Sequence, residues 1–190
     1  MTDHYTLPHQ ILHWLIGLLI IALLCVGLYM TDLPATPDKF AIYGLHKAFG
    51  MTVLGLVILR VFTRLAMPVP PPLASHATWE ITLARITHAT LYLAMILMPL
   101  SGWAMSSAGG HPVSWFGLTV PPLVGENKEL GQFMRSAHST IAYTLIGAIA
   151  LHVAGVIKHV VIDRDRTLSR MVPGMAHKKD GNCTTCQGGN

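Results

Sequence analysis

Acidic side chains are scarce in this chain. Nine Asp and Glu occur among 190 residues, and none lies inside the long apolar stretches. Charged residues of both signs make up 12%, about half of the ~25% usual for soluble domains. A proton pump or ion-coupled transporter generally carries an acid within the membrane, so that class is disfavoured. Cysteine is also sparse: Cys25, Cys183 and Cys186 imply no disulfide framework. Cys25, inside an apolar run, is expected to be an inert packing residue. Cys183-x-x-Cys186 stands alone in a polar, glycine-rich tail, where incidental metal affinity outweighs a built metal or redox site. The basic residues are not interleaved with aromatics, so the pI near 9.1 does not point to nucleic acid. The first apolar run lacks a basic leader and a small-x-small cleavage site, which makes it a retained helix rather than a signal peptide.

What the chain has instead is apolar length. Hydrophobic residues reach 52% and mean hydropathy is +0.49. Four runs, at 9–30, 42–64, 81–105 and 132–162, are each long enough to cross a bilayer as a helix. The expected fold is therefore all-α, an integral membrane four-helix bundle. TDLPATPDKF and MPVPPPLASHATW read as loops between spans. Pro99 is expected to kink the third helix. WFGLTVPPL, in the long loop from Ser106 to Leu130, reads as an interfacial element. Four spans put both termini on one side. Arg60, Arg64, Lys158, Arg164, Arg166, Arg170, Lys178 and Lys179 share that side, against Lys39, Lys47, Lys128 and Arg135 on the other. The positive-inside rule then makes both termini cytoplasmic.

Histidine is the unusual constituent, with eleven in so apolar a chain. His138 and His152 lie fourteen residues apart in the fourth run, roughly 21 Å along a helix and within ~40° of one face. A polar ring on an apolar helix is costly unless something binds it. His46 enters its helix from the outer side, as His138 does, and His13 matches His152 on the inner side. The depths therefore form two bis-imidazole sites, one per leaflet, which suits two b-type haems held from both axial positions. No CxxCH is present for covalent attachment, and zinc would favour acid or thiol neighbours. His88 is a fifth candidate: it could replace His13 as a ligand or contact a haem propionate or a quinone. Arg85, Lys158 and His159 are further candidates for a quinone carbonyl or a propionate. Gly17 and Gly50 follow His13 and His46 by four residues. Such glycines leave room for a flat macrocycle or for close helix packing, and the sequence does not choose.

His13-Trp14, His46 with Gly50, THATLYLAMILMPLSGW, and above all HSTIAYTLIGAIALHVAGVIKHVVIDRDRTLSRMVP resemble the bacterial cytochrome b561 family of small dihaem membrane proteins. The resemblance runs from about residue 5 to 173, suggesting one domain over 1–173 and a flexible cytoplasmic tail over 174–190. It implies two haems b ligated by His13, His46, His138 and His152, electron exchange with the ubiquinone pool, and a place in the bacterial inner membrane. Some members are similar to superoxide oxidases, which take an electron from superoxide at the periplasmic side. Related subunits are haem-bearing anchors for dehydrogenases or hydrogenases, the alternative reading. For superoxide, Lys39, Lys47, Lys128 and Arg135 are the charges available to steer a small anion, although interfacial anchoring accounts for them somewhat more simply.

Overall fold

A computed structural model describes residues 4–71, 73 and 77–175. Four helices long and apolar enough to cross a membrane dominate it. They are α1 (Leu7–Thr31), α2 (Pro37–Ala66), α3 (Thr78–Ala108) and α4 (Lys128–Lys158), the last continuing into a π-helical turn over His159–Asp163. Between α3 and α4 lies a small hairpin of β1 (Val113–Trp115) and β2 (Leu118–Val120). Even the shortest helix, at 25 residues, is about 38 Å long, enough for a ~30 Å hydrocarbon layer.

Each helix, counting the π-helical turn with α4, is longer than its apolar run. The difference is largest at α2, which takes in Pro37 to Phe40 of the stretch expected to be loop. The Thr36 side chain accepts from the Lys39 backbone N–H, Pro37 sits in the first turn and Asp38 follows. These are helix-starting signals, and the proline costs nothing where no helical partner for its nitrogen exists. The extended helices also gain Asp38, Glu80 and Glu129, all in first turns, where the helix dipole favours an anion. Glu80 additionally accepts from the Ala77 backbone N–H. α3 runs on through Pro99 to Ala108 without ending.

Packing is that of an object meant for lipid. The core is a thin seam of Leu12, Ile16, Ile20, Val53, Val57, Ala94 and Leu145. Large apolar side chains such as Leu18, Ile58, Phe62, Leu93 and Tyr143 face outward. In water that surface would drive aggregation, whereas hydrocarbon solvates it. Cys25 is exposed on α1 rather than packed inside, because the seam occupies the other face of that helix. α3 packs closely on α4, α1 on α2 and α2 on α3. Among the described residues, α4 approaches neither α1 nor α2 closely along its length.

Both ends of the bundle are capped. At one end the chain after α4 folds back across the start of α1. The Tyr5 and Gln10 nitrogens donate to the Arg170 carbonyl, Trp14 Nε1 to the Met171 carbonyl at 2.9 Å, and Arg170 to the Pro71 carbonyl. At the other end the hairpin lies along α2: Trp115 Nε1 donates to Thr52 Oγ1 at 3.0 Å and Phe116 meets Phe49 edge-on. The interfacial reading of WFGLTVPPL thus corresponds to a defined hairpin, turned at Phe116 and Gly117 with φ of 48° and 93°. The Cys183-x-x-Cys186 tail lies outside the described residues.

Candidate functional site

The gaps left between α4 and its two distant neighbours are where histidines meet. His46 of α2 faces His138 of α4 with ring centroids 6.5 Å apart and planes at 74°. His13 of α1 faces His152 of α4 at 6.0 Å and 72°. Two imidazoles on opposite sides of one metal, each at ~2 Å from nitrogen to metal, have ring centres about 6 Å apart. Both pairs fall at that separation. His88 of α3 also reaches His152, but at 5.2 Å, which is short for an interposed iron. The four candidate ligands from the sequence are therefore brought together as two pairs, with His88 beside the His13/His152 pair.

At the His46/His138 end, the surroundings fix the tautomer of one ring and make room for both. His138 Nδ1 lies 3.0 Å from the Met98 carbonyl and 3.0 Å from Ser101 Oγ. A carbonyl only accepts, so Nδ1 carries the proton and Nε2 is left with its lone pair, the state an iron ligand needs. His46 Nδ1 is buried without a hydrogen-bond partner. Two glycines make room for the rings. A Cβ on Gly102 of α3 would stand 3.1 Å from His138 Cε1, and one on Gly27 of α1 would stand 3.3 Å from His46 Cε1. A Cβ at Gly17 or Gly50 would meet nothing within 4 Å, so close helix packing is not what keeps those positions small.

The His13/His152 end is electrostatically different. Arg60 is buried, 8% exposed. Its Nη2 lies 3.3 Å from His13 Nδ1, its Nη1 donates to the His9 carbonyl at 3.0 Å, and its Nε donates to Tyr92 Oη at 3.2 Å. Sequence reasoning treated Arg60 as one more cation closing a helix. Its position six residues short of the α2 end at Ala66, inside an apolar stretch, was the signal that it points inward. Arg64, one turn on, is exposed and sits over the Tyr92 ring. The other expected site residues are placed apart from this cluster. Arg85 is exposed and makes no hydrogen bond or ion pair among the described residues. His159 Nδ1 is engaged by Asp163 at 2.8 Å and Asp165 at 3.0 Å. Lys158 bridges Glu80 of α3 and Asp163, which ties the two helix ends together.

Comparison with known proteins matches this architecture. The family model for prokaryotic cytochrome b561 covers residues 4–174. The chain belongs to the prokaryotic cytochrome b561 family. It is 29% identical over 172 residues to cytochrome b561 homolog 2 of Escherichia coli (strain K12), covering 90% of this chain and 92% of that one. It is 34% identical to cytochrome b561 homolog 1 of the same organism over 105 residues, 55% of this chain and 57% of the other. A protein named probable superoxide oxidase CybB, from Yersinia pestis, matches at 29% over 129 residues, 68% of this chain and 73% of its own length. Membership makes this cytochrome a membrane electron-transfer protein of the b type, and the facing imidazoles have the donor chemistry and spacing that a haem requires.

Proposed function

We propose that this cytochrome moves electrons across the bacterial inner membrane through two b haems, one held by His46 and His138 and one by His13 and His152. The observation that carries this is the pair of facing imidazoles at each end of the same helix, at 6.5 and 6.0 Å. Bound haem supplies reversible one-electron exchange at iron. The chain's part is to supply the axial nitrogens, to keep His138 in the ligating tautomer, and to hold two centres about 21 Å apart along α4. Lysine and arginine placement supports an orientation with the His46/His138 pair on the periplasmic side and both termini in the cytoplasm. Ubiquinone is the proposed membrane-borne exchange partner.

Superoxide is the outer-side donor we favour over docking to a dehydrogenase or hydrogenase. The similarity to a probable superoxide oxidase supports it, as do the cations around the outer end. Two of those are locally tethered: Lys47 Nζ donates to Ser106 Oγ and the Pro112 carbonyl, and Lys39 Nζ to the Thr31 and Leu33 carbonyls. All these acceptors are neutral, so the charges remain available to attract an anion. Lys128 and Arg135 are exposed. A reduced-minus-oxidised visible spectrum with haem quantified per chain tests the core of the proposal: two haems are expected, and one or none overturns it. Stopped-flow mixing with superoxide, with and without ubiquinone, tests the donor. Haem reduction by superoxide, relieved when quinone is present, is expected; an unreactive outer haem would leave superoxide out.

A further inference from the structure

A buried guanidinium normally has an anion to face, because removing an unneutralised charge from water is costly. Arg60 has none. Its three partners, the His9 carbonyl, Tyr92 Oη and His13 Nδ1, are all neutral groups. No carboxylate among the described residues lies within ion-pair distance of it. Beside it, His9 is 2% exposed. His9 Nδ1 is taken by Thr6 Oγ1 at 2.7 Å, while its Nε2 is buried with no partner. A desolvated cation and an orphaned ring nitrogen therefore belong to residues in contact through the His9 carbonyl, one helical turn from His13. That is a built place for an anion.

The contact with His13 sharpens the point. A guanidinium has no lone pair, so Arg60 Nη2 donates to His13 Nδ1. In a neutral ring this leaves the proton on Nε2. The His138 arrangement is the reverse: there a carbonyl accepts from Nδ1. For His13 to offer Nε2 to iron, its proton must sit on Nδ1, and an N–H facing the Arg60 N–H is repulsive. Arg60 then has to turn to another acceptor. Haem b carries two carboxylates on its edge, and the described acids at this end, Glu80, Asp163 and Asp165, are engaged by Lys158 and His159 rather than by Arg60.

We propose that His9, Arg60 and Tyr92 form an anion pocket beside His13, and that its ligand is a carboxylate of the inner haem. Arg60 is a positioning residue here, and Tyr92 Oη accepts a hydrogen bond from its Nε. The inference rests on the inner-haem assignment made above. A lipid phosphate is the other membrane anion a guanidinium can meet, but Arg60 is only 8% exposed and closed off from the lipid-facing surface.

The test uses the full-length chain in lipid nanodiscs, loaded with iron protoporphyrin IX or with its dimethyl ester, which lacks the charge. The wild-type inner site is expected to take the diacid about tenfold more tightly than the diester. Arg60→Gln is expected to erase most of that preference and Arg60→Lys to keep much of it. In redox titrations of the haem-loaded proteins, Arg60→Gln should move one of the two waves to lower potential and leave the other in place. A wild-type inner site that binds diacid and diester alike would falsify the pocket, whether Arg60→Gln folds or not, and would point to a lipid phosphate. Two unmoved waves in Arg60→Gln would also overturn it. A wild-type protein that takes up only one haem would instead bring down the dihaem reading beneath it.

Discussion

The outer and inner histidine pairs have nearly the same separation and crossing angle, yet their surroundings differ. The outer pair is set up by neutral groups. The Met98 carbonyl fixes the His138 tautomer, and Gly27 and Gly102 let the two rings nest against α1 and α3. The inner pair is set beside a buried cation, with a third histidine in reach of His152. The outer site is thus arranged before any metal arrives, while the inner site has a proton and a guanidinium to rearrange. If two haems bind, a buried guanidinium in contact with a ring of one pair, against the less buried lysines and arginines at the other end, would give them different potentials, since a cation favours the reduced form. Direction of electron flow would then be built into the protein.

Breaking one pair at a time is the strongest test of that contrast. His46→Ala or His138→Ala should halve the haem per chain and remove the outer centre, and His13→Ala or His152→Ala should remove the inner one. Visible spectra with haem quantification read this directly. If His88→Ala rather than His13→Ala empties the inner site, the 5.2 Å contact outranks the 6.0 Å one and the pairing must be redrawn.

Next in size is the glycine cradle, which belongs to the outer site alone. Gly102→Ala drives a methyl to 3.1 Å from His138 Cε1 and 3.3 Å from Nδ1. Overpacking of this kind costs about 1–3 kcal/mol, and the Met98 and Ser101 contacts hold the ring where it cannot easily retreat. The expected result is a tenfold or greater loss of outer-haem affinity with the inner haem retained. Gly27→Ala should do less, because its contact is at 3.3 Å and to one atom of His46, with the next at 4.0 Å. Gly17→Ala, which meets nothing within 4 Å, should be mild, whereas Gly17→Leu should lower inner-haem occupancy if a macrocycle lies on that face.

Much of this could be read from the sequence, and the exceptions have physical reasons. Four apolar runs and matched histidine depths come from composition and helical rise, which are local properties. The start of α2 was missed because Thr36-Pro37-Asp38 carries both a turn signal and a helix-start signal, and only the packing of the residues after Asp38 decides between them. The cradle glycines Gly27 and Gly102 are on different helices from the rings they serve, so no spacing rule reaches them. The Met98 carbonyl is a backbone group, invisible to any residue-type argument. Arg60 was visible as a residue but misread, because a cation near a helix end is ordinarily an anchor. Its place inside the apolar stretch was the one sequence sign, and its direction, toward His13, is fixed only by the packing.

The two caps at the ends of the bundle extend the comparison and carry the smallest effects. The inner cap hangs on backbone carbonyls: Trp14→Phe removes the donor to Met171 and should cost about 1 kcal/mol, seen as faster proteolysis after α4. The outer cap hangs on side chains and a strained turn. Phe116 holds a positive φ of 48° that Asn or Gly would adopt more readily in a two-residue hairpin turn. Phe116→Asn relieves that strain but loses the edge-on contact with Phe49 at 5.3 Å, an aromatic pair worth about 0.5–1.5 kcal/mol. The two terms nearly cancel, so the thermal midpoint in detergent should move by only a few degrees. In a bilayer the balance should shift toward Phe, because the exposed ring then also has the membrane interface to occupy. A destabilisation in lipid that is no larger than in detergent would mean that the hairpin stands clear of the membrane.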